Sequence, residues 1–504
     1  MSETPSSADE PLGQRLLRAA FPHPVETLEL METHISWVIL TGPWAYKIKK
    51  PVRFDFLDYS TPAQRLHFCQ RELELNRIWA GDLYQDVVAI IASSTGLRIA
   101  PLGEPIESDE RVIDYAVRMK QFPQTALLAA QLVAGHVTSR DMETLADELA
   151  DTHRRTPPIE QTPESAQAAA IRPTLDNFSF LLDKLLSDDT RQAVIRIRDW
   201  TRAQTAELGS TFSERATQGR VRQCHGDLHL NNLLYLEQEF LPFDGIEFND
   251  QLSQIDVVND IAFLAMELSE HQYRPHAYRF RNRYFEVTED YAGLRLLPFY
   301  LVYRAMVRAK VDLIRQLQQS GGAQTNLSDA GRRYVQYAQY VMDRPEPELW
   351  ITFGPSGSGK STEALKFVEQ QGFFRLRADV VRKRLAGRDP FDATPTHELS
   401  LMYGPDMTRR TYNRLGELAQ LVLAAGYRVI VDATFLKVAQ RMDFARLAET
   451  LGVTFRILVC EAPPRELERR LKARERDPSE ATIDVLRNQL QSLEPLSEAE
   501  LRHV

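Results

Sequence analysis

Gly354-Pro355-Ser356-Gly357-Ser358-Gly359-Lys360-Ser361 has the spacing GxxxxGK[ST], and it directly follows the apolar run Leu349 to Phe353. That order commits the chain to a strand, a tight turn and a helix, Thr362 to Gln370. The glycines let backbone N–H groups curl around an anion, Lys360 adds a charge for terminal phosphates, and the Ser361 hydroxyl is suited to ligate Mg²⁺. The motif predicts a nucleotide site formed by Gly354, Pro355, Ser356, Gly357, Ser358, Gly359, Lys360, Ser361 and Thr362. Downstream strands Arg428 to Val431 and Thr454 to Val459 alternate with helical runs, the pattern of a parallel α/β sheet. Asp432 ends the first of these strands, where an acid can hold a metal-bound water beside the phosphates.

Charge marks a boundary upstream of the motif. Up to Glu346 there are 37 Lys+Arg against 48 Asp+Glu, a net of −11, whereas from Pro347 to Val504 there are 24 against 22, a net of +2. Arg344-Pro345-Glu346-Pro347 sits at the change and reads as a linker. Expected are a disordered tail over 1–25, one domain over 26–345 (its smaller lobe 26–120, its larger 121–345) and a second over 346–504. The overall charge of −9 argues against a protein built mainly to coat nucleic acid or an anionic membrane. Cys69, Cys224 and Cys460 form no CxxC pair, and no apolar stretch approaches membrane-spanning length. A cytoplasmic protein is expected.

Before the linker, Val38–Leu40 and Ala45–Val52 read as a hairpin about Thr41-Gly42-Pro43, followed by a helix over Ala63–Trp79 that carries Leu66, Leu73, Leu75 and Ile78. Strands are expected at Val87–Ala92, Leu97–Pro101 and Val112–Met119. Helices follow at Met142–His153, Phe178–Leu208, Ile261–Glu267, Phe299–Leu317 and Arg332–Met342, with short strands around 222–248.

His225-Gly226-Asp227-Leu228-His229-Leu230-Asn231-Asn232 and Asp244-Gly-Ile-Glu247 form the densest polar constellation of this half. A carboxylate, an amide five residues on and a second carboxylate after a short strand provide an orienter for an acceptor hydroxyl and two Mg²⁺ ligands. A hydrolytic metal site using His225, Asp227 and His229 is the competing reading.

Two resemblances follow from these motifs. The segment from about Leu349 to Leu493 resembles small P-loop kinases, namely the kinase half of phage-type polynucleotide kinase and the zeta-toxin-like and gluconate-kinase-like proteins. It shares GPSGSGKS, a D-x-x-R element at Asp379–Arg382, the strand-end Asp432 and an arginine-rich run through Arg474. The likeness implies that Asp379 activates the acceptor, Arg382 contacts it, Lys360 assists transfer and Arg474 reaches the nucleotide.

About Glu26 to Met342 resembles the aminoglycoside phosphotransferase and choline kinase branch of the protein-kinase-like fold, whose signature is H-G-D-x-x-x-x-N. This likeness implies catalytic Asp227, metal ligands Asn232 and Asp244, and a bracing acid at Asp260. The nucleotide-binding lysine falls on Tyr46-Lys47-Ile48-Lys49-Lys50. Lys47 and Lys49 share a face by the period of two, so both stay open, with Lys47 preferred. Its acidic partner is Glu72 or Glu74, with Glu72 preferred. The glycine-rich loop of protein kinases is missing, with Glu32-Thr33-His34-Ile35-Ser36 in its place.

Together the motif sets are similar to those of the bifunctional aminoglycoside phosphotransferase/ATP-binding protein family. They imply a fold of α/β and α+β class: a bilobal protein-kinase-like domain, then a P-loop NTPase domain with a parallel sheet. The expected function is transfer of the γ-phosphate of Mg²⁺-ATP to hydroxyl acceptors at two sites, with ATP and Mg²⁺ as cofactors. The acceptors expected are small molecules, with a nucleic-acid 5′ end open for the second domain. The alternative is one active P-loop kinase, akin to 5′-hydroxyl polynucleotide kinase, regulated by a nucleotide-binding, catalytically weak kinase-like domain.

Overall fold

The computed structural model describes residues 10–54, 57–390, 392, 394–395, 401–473 and 482–504. They pack as two compact units. The first takes the chain up to Thr138 with Asp151–Ala170 and Phe212–Leu264; the second takes Ser139–Ala150, Ile171–Thr211 and Ala265–Val504.

Six antiparallel strands open the first unit, in the order Glu29–Glu32, Ser36–Leu40, Trp44–Lys49, Arg111–Lys120, Tyr84–Ser93 and Gly96–Pro101. The period of two sorts the Trp44–Lys49 strand into two faces. Tyr46 and Ile48 join Leu16, Trp37, Ile39, Val88 and Ile90 in an apolar cluster, where each fully buried isoleucine contributes roughly 1.5–3 kcal/mol. Lys47 and Lys49 therefore project from the opposite face. Of the disordered tail expected over 1–25, residues 1–9 lie outside the described residues; beyond them Leu12–Leu16 is a helix whose Leu16 is fully buried in the apolar cluster, and Ala20 bridges to Arg98.

The helix Pro62–Ala80 starts with a capping box, in which Thr61 and Gln64 bond each other's backbone N–H, and has proline in its first turn. Its buried face is polar: Arg65, Cys69, Glu72 and Asn76, with Trp79. Ile78, one of the apolar positions that suggested the helix, is 49% exposed. The helix is thus turned to present charge and amide groups to its surroundings.

In the second unit, four parallel strands run in the order Phe374–Arg377, Val429–Asp432, Glu348–Phe353, Thr454–Val459. The edge strand Phe374–Arg377 is not among the strands expected from the sequence. Its neighbour is the helix Arg274–Thr288, from which Asn282 Oδ1 accepts the Arg375 N–H at 2.7 Å. The helices Leu297–Ser320 and Asp329–Met342 belong to the same unit, and so does the Arg344–Pro347 linker. The helical run expected over Phe178–Leu208 is two helices, Pro163–Lys184 and Asp188–Thr217. No helix among the described residues is long and apolar enough to cross a membrane.

Candidate active sites

Strand Glu348–Phe353 delivers the chain into the Gly354–Gly359 loop, and Lys360 opens the helix Lys360–Gln371. Gly354 has φ +145°, and a Cβ there would collide with the Cys460 carbonyl oxygen, so glycine is required by contact as well as by conformation. Lys360 Nζ donates to Pro355 O at 2.8 Å. The Ser356 N–H is taken by Gln489 Oε1 at 2.8 Å, a partner no motif announced.

Ser361 and Asp432 line the same cavity, and the Ser361 side chain favours the ionised form of the Asp432 carboxylate. Burial raises the pKa of Asp432, and nearby Arg375 and Lys360 work against that rise. A buried carboxylate and a hydroxyl at a helix N-terminus are oxygen donors of the kind Mg²⁺ takes, and they fit it. On the helix Ala378–Leu385, Asp379 and Arg382 stand one turn apart, bonded Nη1 to Oδ1 at 2.7 Å. The Arg382 guanidinium lies 4.8 Å from the centroid of the Tyr403 ring.

One cavity of about 740 Å³ gathers these groups. Ser356 to Thr362, Asp379, Arg382 and Asp432 all line it. Arg470, from the helix Pro464–Lys472, closes on the loop and donates to Gly357 O at 3.4 Å. Arg474 lies outside the described residues.

In the first unit, the polar face of the helix Pro62–Ala80 meets the lysine strand. Lys47 Nζ donates to Glu72 Oε1 at 2.7 Å and pairs with Asp244. Lys49 Nζ donates to Glu72 Oε2 at 2.7 Å and pairs with Glu247, which also accepts the Tyr59 hydroxyl at 2.6 Å. Both lysines therefore reach Glu72, but only Lys47 reaches Asp244. Burial alone would raise the Glu72 pKa; Lys47 and Lys49 overcome it and hold the carboxyl at about 2. Burial likewise works against the charge on Lys47, and Asp244 and Glu72 carry its pKa well above the usual lysine value. Glu74 is exposed.

Asp244 has φ +60°, a conformation L-residues rarely adopt. Its N–H donates to Tyr84 Oη at 3.0 Å, and the next N–H, of Gly245, donates to Asn76 Oδ1 at 2.7 Å. Tyr84 and Asn76 thus fix the backbone that carries this carboxylate.

Asn232 Nδ2 donates to Asp227 Oδ2 at 3.0 Å and to Asp227 O at 3.1 Å, which leaves its amide oxygen as the ligating atom for a cation. His229 Nε2 stands 3.4 Å from Asp227 Oδ2, while its Nδ1 accepts the Asn231 N–H. Asp260 is fully buried and accepts the Gly226 N–H at 2.8 Å, the His225 N–H at 3.2 Å and His153 Nε2 at 3.2 Å. Gly226, at φ +82°, would place a Cβ 2.6 Å from Leu252 O. Burial lowers the His225 pKa and keeps the ring neutral. Its Nδ1 accepts the Asp227 N–H at 3.3 Å, so Nε2 carries the proton it donates to Phe243 O at 2.9 Å. Both ring nitrogens are spent on the loop, which removes His225 from the competing hydrolytic metal reading. His153, Cys224 and Asp260 lie close enough to hold a metal ion, but the Asp260 oxygens already accept two backbone N–H groups.

Where a glycine-rich loop would stand, the Glu29–Glu32 and Ser36–Leu40 strands are joined by a tight turn. Thr33 Oγ1 accepts the Ser36 N–H there at 3.0 Å. Sequence reasoning passed over Lys49 as a second Glu72 partner, and also Glu247, Tyr59, Asn76, Tyr84 and Gln489. Only Glu247 and Lys49 had a signal, since both stand inside quoted motifs.

Residues 349–496 match the family model described as an AAA domain, AAA_33. An uncharacterized protein of Mycobacterium tuberculosis is 29% identical over 470 residues, covering 92% of this chain and 90% of its own length. Among solved structures, a choline/ethanolamine kinase family protein from Mesorhizobium loti covers 66% of this chain and 94% of its own, at 12% identity and TM-score 0.41. A gluconokinase from Sinorhizobium meliloti covers 31% of this chain and 81% of its own, at 23% identity and TM-score 0.23.

Proposed function

We propose that the chain is an ATP-dependent phosphotransferase with two sites, each moving the γ-phosphate of ATP to a hydroxyl group. The observation that carries this reading is the single cavity in which Lys360, the Ser361–Asp432 pair and Asp379–Arg382 face one another. On this reading the donor anchor, the cation seat and the acceptor acid share one enclosure.

At the P-loop site, the backbone N–H groups and Lys360 bind the donor phosphates, Ser361 and Asp432 would hold Mg²⁺, and Asp379 takes the acceptor proton while Arg382 orients the acceptor. At the first-unit site, Glu72 holds Lys47 extended toward the phosphates, Asp227 orients the acceptor hydroxyl, and Asn232 with Asp244 fit a Mg²⁺ ion. Mg²⁺ held by these residues would neutralise charge that develops during transfer. A donor phosphate at Lys47 would take the place of Asp244 as its partner and leave that carboxylate available to a cation. The site-residue roles, the domain limits 26–345 and 346–504, and a cytoplasmic setting are part of this proposal. Small polar alcohols are the proposed acceptors.

The test is transfer of labelled γ-phosphate from Mg²⁺-ATP into small metabolites and 5′-hydroxyl oligonucleotides by wild type, Asp227→Asn and Lys360→Ala. Separate products lost with each variant are expected. If Lys360→Ala abolishes all transfer and Asp227→Asn none, the first unit is a regulatory module instead.

A further inference from the structure

The strand that leads into Asp379 carries two arginines that the P-loop chemistry does not require. Arg375 is buried, and its Nη1 donates to Ser361 O at 3.1 Å. Arg377 stands opposite Asp432 in the register of neighbouring parallel strands. A guanidinium free to turn toward Asp432 would form an ion pair with the acid that suits Mg²⁺, and would compete with the cation for it.

A third group intervenes. Glu286, only 2% exposed, reaches from the helix Arg274–Thr288 and takes Arg377 in a bidentate pair, with Nε donating to Oε1 at 2.6 Å. Arg283 Nη1 donates to the same carboxylate at 3.0 Å, and Arg283 is itself held by Asp147 through Nε at 2.6 Å and Nη2 at 2.8 Å. Burial opposes the charge on Glu286, but Arg377, Arg375 and Arg283 hold its pKa at about 2. The carboxylate is therefore a fixed anion in a fixed place. It also lies more than sixty residues ahead of the segment that matches the AAA-domain model.

We infer that Glu286 is a positioning residue for the P-loop site: by binding Arg377 it keeps that guanidinium off Asp432 and leaves the Ser361–Asp432 pair open to Mg²⁺. This rests on the P-loop reading above. The cation affinity of the nucleotide site is then set partly by a helix outside the P-loop segment. An apolar or amide residue at 286 would let Arg377 fall back on Asp432.

The test uses the full chain with AMPPNP as the nucleotide, following hydrogen exchange of the peptide over 354–362 while Mg²⁺ is titrated. The read-out is the Mg²⁺ concentration at half-maximal protection. Glu286→Gln is expected to raise it about tenfold, as one competing charge within reach of a carboxylate does. Arg377→Gln alone should leave the midpoint within about twofold of wild type, and Glu286→Gln added to Arg377→Gln should have no further effect. A purely structural role predicts the reverse, with the double variant at least as impaired as Glu286→Gln. That result, or an unchanged midpoint in Glu286→Gln, overturns the inference. Should Glu286→Gln fail to fold, the comparison of Arg377→Gln with the double variant decides it. Protection that survives Lys360→Ala overturns the P-loop reading itself, and the inference with it.

Discussion

Replacing Lys49 by methionine removes one cation from a buried cluster without changing its volume much. Lys49 is 1% exposed, and its partners Glu72 and Glu247 are 0% and 4% exposed. Glu72 keeps Lys47, but Glu247 keeps only the Tyr59 hydroxyl as a charge-stabilising partner among the bonds described above. Breaking a buried pair by deleting one member costs about 3–5 kcal/mol, because the remaining charge has lost its solvent and its counter-ion. For a unit of about 200 residues this is roughly 6–20 °C in melting temperature, at about 2–4 °C per kcal/mol. Differential scanning calorimetry of the full chain measures it. The double variant Lys49→Met with Glu247→Gln should recover at least half of the loss, since both charges then leave together. Lys47→Met should instead abolish transfer at this site, with a smaller change in melting temperature. A Lys49→Met shift under about 2 °C would refute the claim that Lys49 is what stabilises the buried acids.

Gly354→Ala should lower AMPPNP affinity at the P-loop by at least about tenfold, because φ is +145° and the Cys460 carbonyl occupies the Cβ position; calorimetric titration reads this. Gln489→Leu frees the Ser356 N–H for phosphate, and the lost competing bond of about 0.5–1.5 kcal/mol predicts an affinity gain of roughly 2- to 12-fold in the same titration. Asp260→Asn turns an amide N–H₂ toward the His225 or Gly226 N–H and should cost about 1–3 kcal/mol of stability, visible in urea unfolding, as well as transfer at Asp227. Glu72 and Glu286 have pKa values lowered to about 2, so the stability they contribute is complete above about pH 4.5 and is lost as the pH falls toward 2. Melting temperature against pH should drop through that window, and Glu72→Gln should flatten part of the drop.

What could be read from the sequence follows from how local the physics is. The P-loop and its strand and helix depend on neighbours within a dozen residues, and the spacing of glycines and Lys360 carries them. Asp227 and Asn232 are five residues apart and meet inside one loop. Lys47 and Lys49 could not be separated by periodicity, because alternation puts both on one face and the fold uses both. The helix Pro62–Ala80 was found from leucines, yet its buried face is Arg65, Glu72 and Asn76, whose partners Asp114 and Gly245 lie far along the chain. A polar face of this kind has no apolar rhythm to detect. Glu286 and Arg377, 91 positions apart, left no pattern at all, and the short strand Phe374–Arg377 was hidden by its arginines.

The cap that Asn282 places on the Arg375 N–H has a consequence for anyone cutting the chain at its proline-flanked linker. Phe374–Arg377 is an outermost strand, and that helix removes one of its donors from circulation. A fragment beginning at Pro347 would carry the whole phosphate loop yet leave the Arg375 N–H of that edge uncapped, and open edge amides are the template on which sheets of separate molecules join. Such a piece should self-associate through strand pairing. A fragment intended to stay monomeric should therefore begin ahead of Arg274 and keep the helix that carries Asn282.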